Sequence, residues 1–328
     1  MSLHFTVAQN SKEIDSTNII SYADKFVVKI NADTQTDIYT LRNDQDGTKL
    51  TLTPNNNYRL FASLDYQFFG LSIGFSPTFF AANNDDDLKG ESSFSDFKFR
   101  AAFGHWIQGF QLSKIKGYYI ENTNDFFPGW TEGVDPYLQI PDLTSKIYGM
   151  YTSYNFNSNF SFRNILYQTE WQKKSAGSFI PTLYYSFNQL SYSLGGDKLR
   201  EDSFPLRLSA GYYYTLVVHE NWYLNGNLSP SVGVKFTKSS LTNANNERFT
   251  EKYNSFTSAL EGGMQLGYAS KKIVFGASVN FDINGYKEDK LNAIENDKIY
   301  GVIYFGYRFE TPGFIDRTYN KFAKKIGL

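Results

Sequence analysis

The clearest strand pattern in the chain lies in residues 255–309, SFTSALEGGMQLGYASKKIVFGASVNFDINGYKEDKLNAIENDKIYGVIYFGYRF. It contains three segments in which apolar side chains alternate with polar or small ones at every second position, as in a β-strand with two unlike faces. The middle segment, residues 273–283, is apolar along one whole face, and the other face becomes more polar towards Asp282. Each segment has about eleven residues or more, whereas a strand of a soluble sheet has about five or six. The pattern therefore predicts strands long enough to cross a bilayer at a tilt.

The same alternation recurs through most of the chain, and residues 146–156 and 160–171 read as a hairpin around residues 157–159. Counting every such segment gives thirteen strands if residues 25–42, the weakest segment, are included. A bacterial barrel has an even number of strands. Either one strand near residues 172–194 is misassigned or the first segment lies outside the barrel. We therefore predict an all-β fold, an antiparallel transmembrane β-barrel of about twelve strands, with fourteen as the alternative.

Connections of unequal length predict how the barrel is oriented, because bacterial barrels pair short periplasmic turns with longer extracellular loops. The short turns, expected to be periplasmic, lie near Phe69, His105, Ser158, His219 and Lys271. The longer polar loops, expected to face outside, are residues 82–92, 121–145, 239–254 and 285–296.

The two ends of the chain lack the period of two. Residues 1–8, MSLHFTVA, are a short apolar piece that ends in a small residue, and we interpret them as a signal-peptide remnant, with a disordered N-terminus as the alternative. Residues 9–24 are predicted to be a periplasmic leader, and residues 25–309 form the predicted outer-membrane barrel. Residues 310–328 are predicted to be a periplasmic, basic amphipathic tail with a short helix.

The composition agrees with a membrane barrel and excludes other classes of site. Only alternate residues of a barrel strand face lipid, which is consistent with a hydrophobic fraction of 41%. The aromatic share of 18% suits a protein whose Tyr and Trp side chains lie at two membrane interfaces. Without Cys there is no disulfide or thiolate metal site, and a net charge of −1 gives no support for a nucleic-acid partner.

Catalytic residues are not predicted. Apart from His4 in the signal remnant, the histidines are His105 and His219, and both fall at predicted short turns without an adjacent serine nucleophile. Two histidines could ligate a metal across strands, but their spacing does not indicate it. The glycine pair Gly262 and Gly263 is not followed by a helix, so it predicts strand packing rather than a phosphate site. We expect no cofactor and no bound metal.

Charged residues on the polar face of the predicted strands are expected to line the lumen. They are Arg59, Asp65, Asp96, Lys98, Arg100, Arg163, Glu170, Arg207, Lys235, Glu261, Asp282 and Arg308. Their mixed signs favour a lumen filled by salt bridges over an ion-selective pore, because opposite charges in a confined space pair with each other. Lys173, Lys174 and Ser175 are a candidate constriction for an anionic solute, with a solvated loop as the alternative.

Four short motifs carry a family resemblance. They are LTPNN at residues 52–56, KGYYIEN at residues 116–122, QKKSAGSF at residues 172–179 and GYRFETP at residues 306–312. Over about residues 24–312 the chain resembles the Bacteroidota envelope proteins grouped as domain of unknown function 4421. The resemblance implies a β-barrel in the bacterial outer membrane; it brings no established activity, so no functional residue is carried over.

Three classes of function follow from these expectations. The first is a channel or carrier for a small solute, and the second is a non-conducting structural subunit of a larger outer-membrane assembly. A membrane hydrolase is the third, and the histidine positions disfavour it. The expected partners are outer-membrane lipid and other envelope proteins.

Overall fold

The computed structural model describes residues 18–35, 37–43, 47–194, 196–287, 292–295 and 298–326. The predicted signal remnant and most of the predicted leader lie outside the described residues.

The described chain contains seventeen strands and three α-helices. The strands are β1 (Ile19–Ser21), β2 (Phe26–Asp33), β3 (Tyr39–Asn43), β4 (Lys49–Thr53), β5 (Arg59–Tyr66), β6 (Phe69–Phe75), β7 (Ser93–Phe103), β8 (Trp106–Ile120), β9 (Leu138–Tyr154), β10 (Glu170–Gln172), β11 (Ala176–Leu194), β12 (Asp197–His219), β13 (Trp222–Thr242), β14 (Arg248–Ala269), β15 (Ile273–Lys287), β16 (Asn292–Glu295) and β17 (Lys298–Phe309). The helices are α1 (Asp86–Lys89), α2 (Phe162–Leu166) and α3 (Gly313–Ile326).

Twelve of these strands close into an antiparallel barrel, which confirms the predicted fold class and strand number. They are β2, β5 to β9, β11 to β15, and β17. The circuit closes where β17 pairs with β2, with Phe309 opposite Phe26 and Val302 opposite Asp33. A closed circuit leaves no strand edge, which is the condition for placing a sheet in lipid. The first segment is therefore part of the barrel, and its second half, β3, joins β4 and β16 in an extension of the sheet at one end.

The predicted strand at residues 160–171 is wrong. This segment forms α2 and the three-residue strand β10, and removing it from the count of thirteen leaves twelve. The apolar residues of α2 recur three and four positions apart, which is helical spacing. Ser161 caps the helix by accepting a hydrogen bond at Oγ from the Asn164 backbone N–H at 2.8 Å.

The outer surface of the barrel is apolar around its whole circumference. The large aliphatic side chains that are each more than half exposed include Ile30, Ile73, Leu208, Val232, Val279 and Ile303. Their neighbours along the strands, such as Ser72, Ser209 and Ser231, are buried and polar, so the strands alternate between an apolar outside and a polar inside. Such a band is unfavourable in water and matches lipid tails. The barrel is therefore built to span a membrane.

The two ends of the barrel differ in their connections. At one end, which we call the turn end, successive strands are joined by residues 67–68, 104–105, 220–221 and 270–272, and by the longer residues 155–175. At the opposite end, which we call the loop end, β13 and β14 continue as a paired hairpin to Thr242 and Arg248. The loop predicted at residues 239–254 is therefore longer than the observed connection. The loop predicted at residues 121–145 is also too long, because β9 begins at Leu138. In the loop-end part of β13 and β14, polar side chains lie on both strand faces. The alternation of apolar and polar residues therefore disappears from the sequence, although the backbone pairing of the two strands continues.

The C-terminal residues form α3 at the turn end. Its Tyr319 ring lies 5.4 Å from that of Tyr66 and 5.7 Å from that of Phe68. The Tyr66 hydroxyl donates to Asp316 at 3.3 Å. In the part of the chain that the structure describes, no helix has the length and apolar character needed to cross a membrane. The periplasmic position of this tail stays a prediction.

Candidate functional site

The turn end of the lumen is filled by residues 155–175, which connect β9 to β11 and which we call the plug. Its strand β10 pairs with β1 from the N-terminal segment, with Ile19 opposite Gln172. Within the plug, Phe160 is 1% exposed and Asn164 is fully buried. A connection buried to this extent does not run over the surface as ordinary loops do; it occupies the barrel interior.

Apolar side chains of the plug contact opposite sides of the barrel wall. Phe160, Phe162 and Tyr167 pack against β7, β8 and β11. Trp171 of the plug, with Tyr22 of the N-terminal segment, packs against β2, β13, β14 and β15. Because β7 and β14 lie across the twelve-strand circuit from each other, the plug spans the lumen.

Three cations on the wall hold the C-terminal end of α2. They donate to consecutive backbone carbonyls at 2.7–3.3 Å: Arg100 to Leu166, Lys29 to Tyr167 and Arg308 to Gln168. Carbonyl groups at a helix C-terminus lack partners within the helix and attract cations. The strands β7, β2 and β17 thus fix the position of the plug through its backbone.

The turn that follows α2 contains a strained residue. Gln168 has φ of +56°, a conformation that non-glycine residues adopt at a cost. Its side chain compensates by donating to Ile165 O at 2.6 Å and accepting from Lys29 Nζ at 2.7 Å. Lys29 therefore contacts both the backbone and the side chain of the plug, which ties the strained turn to β2.

One buried carboxylate neutralises part of this positive charge. Asp65 Oδ2 lies 3.0 Å from Lys29 Nζ, and Asp65 Oδ1 lies 3.2 Å from an Arg100 nitrogen. A second pair is internal to the plug, where Glu170 lies 3.6 Å from Arg163. The cluster of Lys29, Arg100 and Arg308 has one carboxylate partner among the described residues, so it is electropositive wherever the plug carbonyls are removed.

The loop-end half of the lumen contains a cavity of about 1460 Å³, which we call the chamber. Its lining extends from Tyr151 and Tyr184 inside the barrel to the exposed Leu138 and Asp142 at the loop end. Cavities that hold drug-sized ligands span about 300–1,000 Å³. The chamber is therefore large enough for a small solute.

One side of the chamber is apolar and the opposite side carries ion pairs. The apolar side, which comes from β3, β4, β8, β9 and β11, includes Tyr39, Leu41, Leu50, Leu52, Ile120, Ile140, Leu143, Leu190 and Tyr192. On the charged side Lys235 Nζ lies 3.0 Å from Glu201 and Lys298 Nζ lies 2.7 Å from Asp37, while Arg207 pairs with Glu261. Mutual pairing is how buried charges offset the loss of water.

Asp37, which lies between β2 and β3 at the loop end, forms ion pairs with Arg59 and Lys298. Burial raises the pKa of its carboxyl, but the charges of Lys298 and Arg59 outweigh burial, so the pKa lies below its ordinary value. Arg59 Nη1 is 3.2 Å from Asp37, and Arg59 Nε is 2.8 Å from Asp33. These pairs therefore stay ionised at neutral pH and join β2, β5 and β17.

A smaller polar cleft of about 190 Å³ lies between the plug and the wall. It is lined mainly by amides and hydroxyls, including Asn31, Gln168, Asn225, Asn227, Gln265, Ser278, Asn280 and Tyr304. The apolar cluster that contains Tyr22, Trp171 and Tyr223 lies on the turn-end side of this cleft. The plug is therefore packed less tightly against β13, β14, β15 and β17 than against β7 and β8.

Most of the predicted lumen-lining residues form ion pairs. Ten of the twelve do so: Arg59, Asp65, Asp96, Lys98, Arg100, Arg163, Glu170, Arg207, Lys235 and Glu261. Asp282 accepts from the Asn284 amide at 3.0 Å, and Arg308 binds the plug backbone. Arg163 and Glu170 lie on the plug rather than on a strand of the barrel wall. A direct role of these twelve residues in solute passage stays a prediction.

The predicted constriction lies at the C-terminal end of the plug. Lys173 Nζ lies 3.8 Å from the centroid of the Trp171 ring, whereas Lys174 and Ser175 are exposed at the turn end. Two exposed residues of three fit the solvated-loop alternative better, and the constriction role stays a prediction.

The histidines have structural surroundings in the described chain. His105 Nδ1 and Asn155 O are 2.6 Å apart at the turn end, and His219 ends β12. Among the described residues, no group of three or more histidine or carboxylate side chains is placed to hold a metal ion.

Sequence reasoning missed Lys29, Asp37, Glu201 and Lys298. Lys29 alternates with Val28 and Ile30 on the outer face, and this alternation is a signal that could have identified it. Asp37 and Glu201 lie in segments where both strand faces are polar, so no pattern marks them.

Comparisons with known proteins place the chain in a family without a described activity. The model of the family described as Domain of unknown function (DUF4421) matches residues 13–309. No curated protein matches the chain.

The solved structures that resemble this chain are distant from it. The COG4313 outer-membrane channel of Pseudomonas putida F1 is 10% identical with a TM-score of 0.40, over 87% of this chain and 95% of that one. The P. putida toluene transporter TodX is 8% identical with a TM-score of 0.30, over 92% and 94% of the two chains. OmpT of Vibrio cholerae is 9% identical with a TM-score of 0.31, over 87% and 98%. At these scores none of the three informs the function of this chain.

Proposed function

The chain belongs to the family described as Domain of unknown function (DUF4421), and from that premise we propose that it is an outer-membrane channel or carrier for a small solute. The solute enters the chamber from the loop end. The plug, held by the wall cations, closes the turn end until it moves.

The observation that carries the proposal is the division of one lumen into two parts. The loop-end part is an open chamber of about 1460 Å³, and the turn-end part is filled by a plug whose apolar side chains form one cluster with the barrel wall. Side chains fill the interior of a barrel of about eight strands, whereas a barrel of twelve strands is wider; here the plug fills only the turn-end half of that space and the loop-end half stays open. A chamber above a plug supports a path that admits solute and is closed in this state.

The proposal includes a location, partners and an orientation. The apolar outer band supports lipid as the immediate partner, and bacterial barrels of this architecture lie in the outer membrane. We place the loop end outside the cell and the turn end, with α3, in the periplasm. Origin in a Bacteroidota species and contact with other envelope proteins are also proposed, on the family resemblance alone.

The plug is suited to act as a gate because its wall contacts are reversible. Hydrogen bonds from Lys29, Arg100 and Arg308 hold it, and the cleft beside it is lined by polar groups that water can solvate. The cleft leaves polar space on one side of the plug, while the apolar contacts of Phe160, Phe162 and Tyr167 with β7, β8 and β11 hold the closed position. Such gating movements are usually slow relative to side-chain motion.

Proteoliposome swelling with uncharged solutes of graded size tests this function. Ser21 and Glu170 are directly opposite in the β1–β10 pair, at a separation that a disulfide can bridge. The chain has no native Cys, so a Ser21→Cys, Glu170→Cys variant forms a single bond, and it ties the plug to the segment that leads into β2.

We expect swelling with the wild-type chain, loss of swelling when the variant is oxidised, and recovery on reduction. Equal swelling in both redox states would exclude the plug as the gate. No swelling with any form of the protein would favour the non-conducting structural subunit.

A further inference from the structure

The described residues that line the chamber carry no net charge. The acidic ones are Asp37, Asp142, Glu201 and Glu251, and the basic ones are Arg207, Lys235, Lys252 and Lys298. The four negative and four positive side chains cancel. Glu261, which pairs with Arg207 just outside this lining, adds one negative charge, so the chamber has no strong potential to attract an ion of either sign.

The innermost ion pairs are also closed against a competing ion. Arg207 pairs with Glu261, and its guanidinium lies 4.9 Å from the centroid of the Tyr184 ring. The Tyr184 hydroxyl donates to Glu261 at 3.4 Å. A charged solute would have to separate such pairs or lose its own hydration without replacement.

An uncharged solute with hydroxyl groups meets no such penalty. A guanidinium has five N–H donors, and an ionised carboxylate has about four acceptor positions, so both can bind a hydroxyl while they stay paired. Arg207 and Asp37 provide these groups on the charged side of the chamber.

The opposite side of the chamber favours an apolar group. Leu41, Leu50, Leu52 and Leu190 line it, with Tyr39 and Tyr192 at its edges. Removing apolar surface of a solute from water against these side chains stabilises the complex in proportion to the area buried. A hydroxylated head alone would leave this wall in contact with water.

We infer that the chamber binds an uncharged amphiphile, with its apolar body against the leucine wall and its hydroxylated head against the ion-paired wall. The inference rests on the proposed function only in taking the chamber as the solute site. It adds the chemical class of the ligand.

The test is calorimetric titration of the full chain in lipid nanodiscs, with empty nanodiscs supplying the partition background. The probe is octyl glucoside below its micelle-forming concentration, and the comparison probes are octyl sulfate, octyltrimethylammonium and glucose. We expect saturable binding of octyl glucoside. Its affinity should be at least about tenfold higher than that of octyl sulfate, octyltrimethylammonium or glucose. Binding of octyl sulfate or octyltrimethylammonium as tight as that of octyl glucoside, or equal binding of glucose, would overturn the inference.

A matched pair of variants locates the site. Leu190 lines the chamber, whereas the next residue, Ser191, does not. Leu190→Asp should weaken octyl glucoside binding by about tenfold or more, because a carboxylate replaces apolar surface, and Ser191→Asp should leave it unchanged. Equal effects of the two variants would overturn the assignment to the chamber. Binding of octyl glucoside without swelling of proteoliposomes would support the ligand class and argue against the channel function. Swelling without binding would support the channel function and overturn the ligand class.

Discussion

Asp65 Oδ2 lies 3.0 Å from Lys29 Nζ inside the lumen, and the side chains are 1% and 2% exposed. The second Asp65 oxygen accepts from Arg100 at 3.2 Å. Both cations also donate to backbone carbonyls of the plug. One carboxylate on β5 therefore sets the position of two plug contacts on β2 and β7.

Removing this carboxylate should destabilise the barrel strongly. Asp65→Asn leaves two buried cations without their partner, which costs about 3–5 kcal/mol of unfolding free energy. Urea unfolding in detergent, followed by the mobility difference between boiled and unboiled samples, measures the change. Asp142→Asn is the control, because its pair with Lys116 is well exposed and is worth about 0–1 kcal/mol. Equal losses in the two variants would show that the buried cluster has no special role.

The lipid face gives a second prediction. Val279 is 62% exposed on the outside of β15, and the adjacent Asn280 lines the polar cleft. Val279→Arg should cost about 2–4 kcal/mol if the residue lies near the bilayer midplane, and Asn280→Arg should cost much less. Refolding yields into lipid vesicles compare the two, and equal yields would contradict the assigned faces.

The orientation gives a third prediction. Residues 243–247 form the tip of the β13–β14 hairpin at the loop end, and Asn245 is exposed there. An epitope inserted after Asn245 should bind antibody on intact cells if the loop end faces outside. An epitope inserted after Glu220, in a turn-end connection, is the control and should be protected. The opposite result would invert the barrel.

The sequence predicted the barrel well where lipid imposes a pattern. Around residues 273–283 an apolar face is required at every second position, and both the strand and its faces were predicted from that alternation. Beyond the membrane the constraint disappears, so the hairpin around residues 239–254 was predicted to be a loop although its ladder continues.

The plug could not be predicted from the same pattern. Phe160 and Phe162 have the spacing of a strand, and the helical spacing of Phe162, Ile165 and Leu166 covers a single turn, too short to outweigh it. The partners of Lys29 are a carboxylate 36 positions away and carbonyls about 140 positions away. No local sequence signal connects groups at such separations, so Asp65, Arg100 and Arg308 were predicted to line the lumen, but Lys29 and the role of the cluster in holding the plug were missed.

The C-terminal tail gives a fourth prediction. Truncation after Glu310 removes the contacts of Tyr319 and Asp316 with Tyr66 but leaves β17 and its pairing with β2 complete. The shortened chain should therefore still migrate as a heat-modifiable barrel. Deletion of β17 should abolish this behaviour, because it exposes two unpaired strand edges to lipid. If the chain truncated after Glu310 failed to fold, the C-terminal tail would be required for closing the barrel.

If the lumen is a solute path closed by the plug, a chain without the plug should conduct. The Asn157 amide donates to Gly177 O at 2.8 Å, so a short glycine linker can replace residues 158–174. This variant should form a heat-modifiable barrel with steady conductance in planar bilayers. The bare cluster of Lys29, Arg100 and Arg308, with Asp65 as its carboxylate, should make the current anion-selective.

Deletion of residues 126–134 from a loop-end connection is the matched control and should leave the wild-type behaviour, brief openings from a closed state, unchanged. We expect a steady current, with a reversal potential of the anion-selective sign in a salt gradient, from the plug deletion alone. A folded plug-deletion barrel that does not conduct would exclude a solute path through the lumen.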